Sequence, residues 1–261
     1  MSEHALPGQA TRRATSDAAW WRSAWRQYRL ERRMFWRNPS AAFFNFLLPL
    51  IFLLLLAAIF TKQKDRDIIV PGIAGMAVLA TTFSALAYNV VFLREQGILK
   101  RMRGTPLPSG AYLLGIAGNA VMNTAIQIVL ITVAGKLFYG IAWPPQVGEL
   151  VLFVVLGVVC FASLGVALAH AIPTFEAATV YVNMIFLPVV FISIDAANDP
   201  AFLKGIAEAL PLAHLIDGLS AAMVTGEGIG SQWSALGVLV VWTVLGVTLA
   251  IRGFSWEQRR S

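Results

Sequence analysis

Charge is what this chain has least of. Of its 261 residues, 13% are Asp, Glu, Lys or Arg, against 57% hydrophobic. Soluble domains carry about 25% charged residues, so the deficit excludes a soluble globular domain and leaves an integral membrane protein. Cysteine is nearly absent. Cys160 alone, inside an apolar run, excludes an internal disulfide and reads as a small packing residue. Three histidines, His4, His170 and His214, make no convincing zinc set with it. There is no G-x-x-x-x-G-K-[ST] to cradle ATP phosphates, no H-E-x-x-H and no G-x-S-x-G. No catalytic residue, no metal and no cofactor of the chain's own is therefore expected. Away from their ends, the apolar runs hold no Asp, Glu, Lys or Arg. A secondary transporter, the reading from another class, needs such groups for ion coupling. A membrane enzyme would need a catalytic cluster, and none is visible.

What is present is long apolar sequence. A helix needs roughly 20 apolar residues to cross a bilayer core. Six segments qualify, at about 41–60, 70–93, 111–138, 150–170, 177–195 and 233–251. The expected fold is all-α and polytopic, with both termini on one side. The net charge of +6 is distributed by side. If the termini lie inside, fifteen Lys and Arg flank the spans there, including Arg94, Lys100, Arg101 and Arg252. Five lie outside: Lys62, Lys64, Arg66, Lys136 and Lys204. That asymmetry places both termini and the 94–108 loop in the cytoplasm, with Lys136 snorkelling from the outer end of its helix. Residues 1–16 read as a disordered polar tail without the features of a signal peptide.

Residues 17–38 read as an amphipathic interfacial helix, with Asp17 as its N-cap and Asn38-Pro39 as its stop. Arg22, Arg26, Arg29, Arg33 and Arg37 form one stripe at helical spacing, and Trp21, Trp25, Tyr28 and Phe35 form an adjoining one. Basic and aromatic faces side by side suit a membrane–water interface and membrane lipid as partner. A solvated charged helix would explain the arginines but not the aromatics. Nucleic acid is not needed to account for the charge, because membrane anchoring already does.

Between the second and third spans lies a charged island, Arg94-Glu95-Gln96-Gly97-Ile98-Leu99-Lys100-Arg101-Met102-Arg103-Gly104-Thr105-Pro106-Leu107-Pro108. Ile98, Leu99 and Met102 gather on one helical face, and Thr105-Pro106 imposes an extended exit. A plain inside loop would account for the charges but not for a short amphipathic helix with a proline-bounded end. This run, followed by Tyr112-Leu113-Leu114-Gly115, resembles the permease subunits of ABC-2 type ATP-binding-cassette exporters, among them bacterial drug-resistance and polysaccharide or teichoic-acid export permeases. The resemblance covers nearly the whole chain, with 39–261 as the six-helix membrane domain. It implies that the island is the element touching a separate ATPase subunit, which binds the ATP and Mg. The coupling residues it implies are Arg94, Glu95, Gly97, Leu99, Lys100, Arg101, Arg103, Thr105, Pro106 and Leu107. It also implies a prokaryotic cytoplasmic membrane. One six-span chain is small to enclose a path, so a homodimer or a pair with a related permease is expected.

About 35 residues, 196–230, separate the fifth and sixth spans. Asp199-Pro200 starts one short amphipathic helix and Pro211 a second. The pair could lie on the outer surface or dip in as a re-entrant element. His214 and Asp217 are three apart but have no third partner, so ordinary hydrogen-bonding roles are expected. Polar residues recur within the spans. Asn119, Asn123 and Gln127 share one face of the third, and Thr81, Ser84, Tyr88 and Asn89 mark the second. Asn45 and Asn183 lie in the first and fifth. Such groups face protein or water. They serve either as helix–helix hydrogen bonds or as a substrate path through Asn45, Thr81, Ser84, Tyr88, Asn89 and Asn183. The substrate expected for spans without buried charge is a hydrophobic drug-like or lipid-linked molecule. A polysaccharide or teichoic-acid type glycolipid is the alternative.

Overall fold

The computed structural model describes residues 7–59, 63–98, 109–194 and 201–253, and among them every regular element is helical. Helix α1 spans Pro7–Arg37 and α2 spans Pro39–Ile59, the single residue Asn38 between them marking the expected stop. Helix α1 begins at Pro7, ten residues before Asp17. Proline suits the first helical position, and the run that follows is rich in alanine, the best helix former.

Helices α3 (Gln63–Leu79) and α4 (Ala85–Glu95) are one continuous rod, joined by a π-helical turn over Ala80–Ser84. Then come α5 (Ser109–Tyr139), α6 (Val147–Ala169) and α7 (Phe175–Ile194), the short α8 (Ala201–Ala207) and α9 (Pro211–Ser220), and α10 (Trp233–Gly253). The α3–α4 rod, α5, α6, α7 and α10 are each long and apolar enough to cross a membrane. Helix α2 qualifies only together with the second half of α1, which meets it at 69°. The chain is thus an all-α polytopic membrane protein, with five such helices among the described residues, or six with α2.

The rod is the hub. It packs on α2, α5, α6, α7 and α9, and its 67–95 stretch is the most buried of the candidate spans. Val70, Ile73, Ala74, Val78, Ala87 and Val91 are all nearly inaccessible. The π turn sits at its centre, where Thr82 Oγ1 donates to Val78 O at 2.6 Å. Back-bonding of this kind loosens a helix locally, and nothing in the apolar pattern announces it. Helices α6 and α10 form the most extensive helix pair, closely approached at Gly246 against Ser163 and Leu164.

The 201–225 segment is re-entrant. Trp242 lies nine residues into α10, about 14 Å along its axis, and its indole N–H donates to Ala209 O at 2.9 Å. The turn between α8 and α9 therefore sits about half-way down α10. From there α9 climbs back among α3, α6, α7 and α10, burying Leu212, Leu215, Ile216 and Leu219. A π-helical turn over Ala221–Thr225 follows, ending at a left-handed Gly226. Glu149 Oε1 then accepts from Ile229 N at 2.8 Å, tying the return to the start of α6.

Candidate functional site

The expected coupling residues fall into two groups. Leu99, Lys100, Arg101, Arg103, Thr105, Pro106 and Leu107 lie outside the described residues. Arg94, Glu95 and Gly97 lie inside them, and they do not continue into one island helix. Helix α4 ends at Glu95. Gln96 N donates to Phe92 O at 3.0 Å, Gly97 N to Arg94 O at 3.1 Å, and Gly97 takes φ +65°. A side chain is strained at that angle, so glycine is the natural residue for this stop.

Arg94 and Glu95 therefore belong to the end of α4, and both reach the turn between α6 and α7. The Arg94 guanidinium donates from Nη1 to Ala169 O at 3.0 Å, and from Nη2 to Ile172 O and to Pro173 O, the last at 3.4 Å. Phe175 N, at the first residue of α7, donates to Glu95 Oε2 at 3.3 Å. A cation on the carbonyl end of α6 and an anion on the N–H end of α7 both complement the helix dipoles. Two adjacent residues so clasp the ends of two consecutive helices. His170 lies in the same turn. Burial lowers its pKa first; a hydrogen bond with the Ala167 backbone opposes this, and the Arg94 charge adds to it. Phe92 and Phe175 close the clasp edge to face, with ring centroids 5.6 Å apart.

Helix α1 lies against α5. Arg26, Arg29 and Arg33 are exposed on one face, and Trp21 and Trp25 on the next, while Tyr28 is half-buried with its ring stacked on Trp25. The third face, with Ala24 and Glu31, is turned to protein. Burial pushes the Glu31 carboxyl above its ordinary value of 4.5, and the hydrogen bond from Gln27 partly opposes this. Its folded-state pKa is raised, so the stability linked to protonation is fully present below about 4.5 and is lost as pH rises through the raised value. Glu31→Gln is expected to raise the melting temperature at pH 7, with the advantage vanishing toward pH 4.5. Thermal unfolding of the detergent-solubilised protein at the two pH values checks this.

Of the residues considered for a substrate path, two meet in a buried polar core. Thr81 Oγ1 lies 2.8 Å from Gln127 Oε1 and 3.4 Å from Asn45 Oδ1, and Gln127 Nε2 donates to Asn45 O at 2.5 Å. This joins α2, the α3–α4 rod and α5. Four residues back along α5, Asn123 Oδ1 accepts from Arg32 Nη1 at 2.5 Å, bringing α1 into the same system. The stripe on the third span was legible in sequence. Arg32 was not, since it lies off the arginine stripe and only tertiary placement reveals its partner. Gln127→Leu strands the Thr81 hydroxyl and the Asn45 carbonyl. A loss of about 1–2 kcal/mol is expected, seen as a lower unfolding midpoint.

Ser84 and Tyr88 are half-buried on the rod. Asn89 Oδ1 is buried with no hydrogen-bond partner among the described residues, and it faces a cavity of about 240 Å³ shared with Ser163 and Val247. Asn183 is exposed on α7 beside Val180, Met184 and Leu187. The six residues thus do not all meet at one place: Asn45 and Thr81 share the polar core, Asn89 lines the small cavity and Asn183 is exposed on α7. His214 Nε2 lies 2.8 Å from Glu208 O, which closes the turn between α8 and α9. Lys136 Nζ sits 5.3 Å from the Trp143 ring centroid, so the ammonium finds an aromatic face at the end of α5.

A cavity of about 710 Å³ opens between α7 and α10. Leu210 and Pro211 of the re-entrant turn bound it at mid-depth, and His170 and Arg252 at the Arg94 end.

A re-entrant pair before the last span, a basic loop after the second and an amphipathic lead helix make up one architecture. A family model described as ABC-2 type transporter matches residues 19–224, most of the chain. The chain belongs to the ABC-2 type transporter family. It is also 25% identical over 176 residues to Nodulation protein J of Rhizobium leguminosarum bv. viciae, covering 66% of this chain and 67% of that one. ABC-2 permeases are the membrane components of transporters and work with a separate ATP-binding subunit. In this ABC-2 chain the matched stretch runs from α1 through the re-entrant α9 and includes the Arg94–Glu95 clasp.

Proposed function

We propose that this chain is the permease subunit of an ABC exporter, carrying a hydrophobic drug-like or lipid-linked substrate out of a prokaryotic cell. Both termini and the 94–108 island face the cytoplasm. A separate ATPase subunit binds ATP and Mg and docks on the island, chiefly through Leu99, Lys100, Arg101, Arg103, Thr105, Pro106 and Leu107. Two permease subunits, identical or related, enclose the path between them, with the exposed Asn183 face of α7 available to it.

The observation that carries this reading is the clasp. A push on the island reaches α4 directly and, through Arg94 and Glu95, also reaches the ends of α6 and α7. One docking element thereby moves three helices together, as switching between inward- and outward-open states requires. Nothing in the described spans offers an ion-coupling alternative.

The test is reconstitution with a candidate ABC ATPase subunit from the same organism. Proteoliposomes should accumulate or expel a hydrophobic dye only with ATP. Arg101→Glu should abolish copurification of the ATPase while the permease still elutes as a folded species. ATPase retention with unchanged transport in Arg101→Glu would refute the docking assignment.

A further inference from the structure

The cavity between α7 and α10 has a chemistry the transport reading leaves unused. Its walls are apolar, set by Leu79, Phe83, Phe161 and Val189. The Trp242 indole on its wall is already committed to Ala209 O. Polarity is confined to one rim, where His170 and the exposed Arg252 stand. From Trp242 to Arg252 is ten residues of α10, about 15 Å of depth. That is half of a hydrocarbon core about 30 Å thick, or one leaflet. The ceiling is the re-entrant turn at Leu210-Pro211.

We propose that this cavity is the site of a resident anionic phospholipid, one acyl chain filling it beneath the re-entrant turn and the phosphate paired with Arg252. An apolar slot one leaflet deep with a single cationic rim matches a lipid tail and an anionic headgroup. A hydrophobic or lipid-linked cargo would meet the same apolar walls, and the ATP-turnover arm of the crosslinking experiment separates a resident lipid from cargo. The acyl chain supports Leu210-Pro211, so occupancy holds α9 in place against the rod. This assignment is independent of the identity of the transported substrate.

Photo-crosslinking with a phosphatidylglycerol bearing a diazirine on its acyl chain tests it, with labelled peptides mapped by mass spectrometry. Label is expected in α7, α10 and the 208–211 turn. It should fall at least fivefold in Ala167→Trp, which fills the slot, and in Arg252→Glu, which reverses the rim. Ile185→Trp, at the exposed mouth, is a second filler should Ala167→Trp fail to fold. Label in the separate groove between α1 and α5, around Trp25 and Met122, should be unchanged in all three and serves as the internal reference. Equal labelling by a phosphatidylcholine probe, or label that survives the filling variants, would overturn the proposal. So would loss of the label during ATP turnover with the ATPase bound, because the occupant would then be cargo.

Discussion

Arg94→Ala should cut ATP-driven transport by more than tenfold while leaving the ATPase bound to the permease. The guanidinium serves three carbonyls in the turn between α6 and α7. Hydrogen bonds to a charged group are worth about 1.5–3 kcal/mol each, so alanine removes the strongest link between α4 and that turn. The proposed docking residues after Gly97 are untouched, so copurification should persist and basal ATP hydrolysis should continue. Transport and hydrolysis would then part company, the signature of lost transmission. Arg94→Lys should recover only part of the loss, since one ammonium does not reproduce the spread of a guanidinium. If transport and binding fall together, Arg94 contacts the ATPase directly. If neither falls, the clasp carries no force.

Gly165→Val should destabilise the fold more than any polar substitution named above. A Cβ at Gly165 would lie 2.4 Å from Phe83 O and 3.0 Å from Phe83 Cα and C. The obstacle is the backbone of the π-helical turn at the centre of the rod, and backbone cannot swing aside as a side chain can. Overpacking costs about 1–3 kcal/mol where neighbours can move, and here the upper end or more is expected. Gly237, on the same α6–α10 side of the bundle, has nothing within 4 Å of its would-be Cβ. Gly237→Val should therefore pass unnoticed apart from helix propensity. The pair is read by the fraction of monodisperse protein surviving a heating series. Equal survival would mean that α6 and the rod are less tightly seated than the structure indicates.

Apolar run length made the spans legible, because the hydrocarbon thickness imposes it on sequence directly. The five long candidate helices lie within a few residues of expectation. The first run was different. Helix α2 is apolar, yet it qualifies as a span only together with α1, and the 69° bend between them has no sequence signal beyond Asn38-Pro39. The two short helices before α10 were readable from their prolines, but not their depth. That depth is fixed by Trp242 meeting Ala209, a contact 33 residues apart. The π turn was hidden because a threonine within an apolar run announces no break in helical period, and its back-bond to Val78 O is visible only in the folded helix.

The candidate site divides the same way. Local spacing showed the arginine and aromatic faces of α1 and the polar stripe of α5. It could not show that Thr81, Asn45 and Gln127 hydrogen-bond one another. Nor could it show that Arg94 and Glu95, the first residues of the charged island, turn inward to the bundle's own 169–175 turn. Gly97 was legible as a glycine but not as the point where the rod stops.

The central claim is that the end of α4 and the turn between α6 and α7 move as one body when the ATPase acts. Spin labels at Gln96 and Thr174, both exposed, in a Cys160→Ala background, measure it directly in the reconstituted complex. The account predicts a narrow distribution for the 96–174 distance within one subunit, unchanged between the nucleotide-free and ATP-trapped states, and broadened only by Arg94→Ala. A 96–174 distance that widens when ATP is trapped in the otherwise unaltered protein would contradict it.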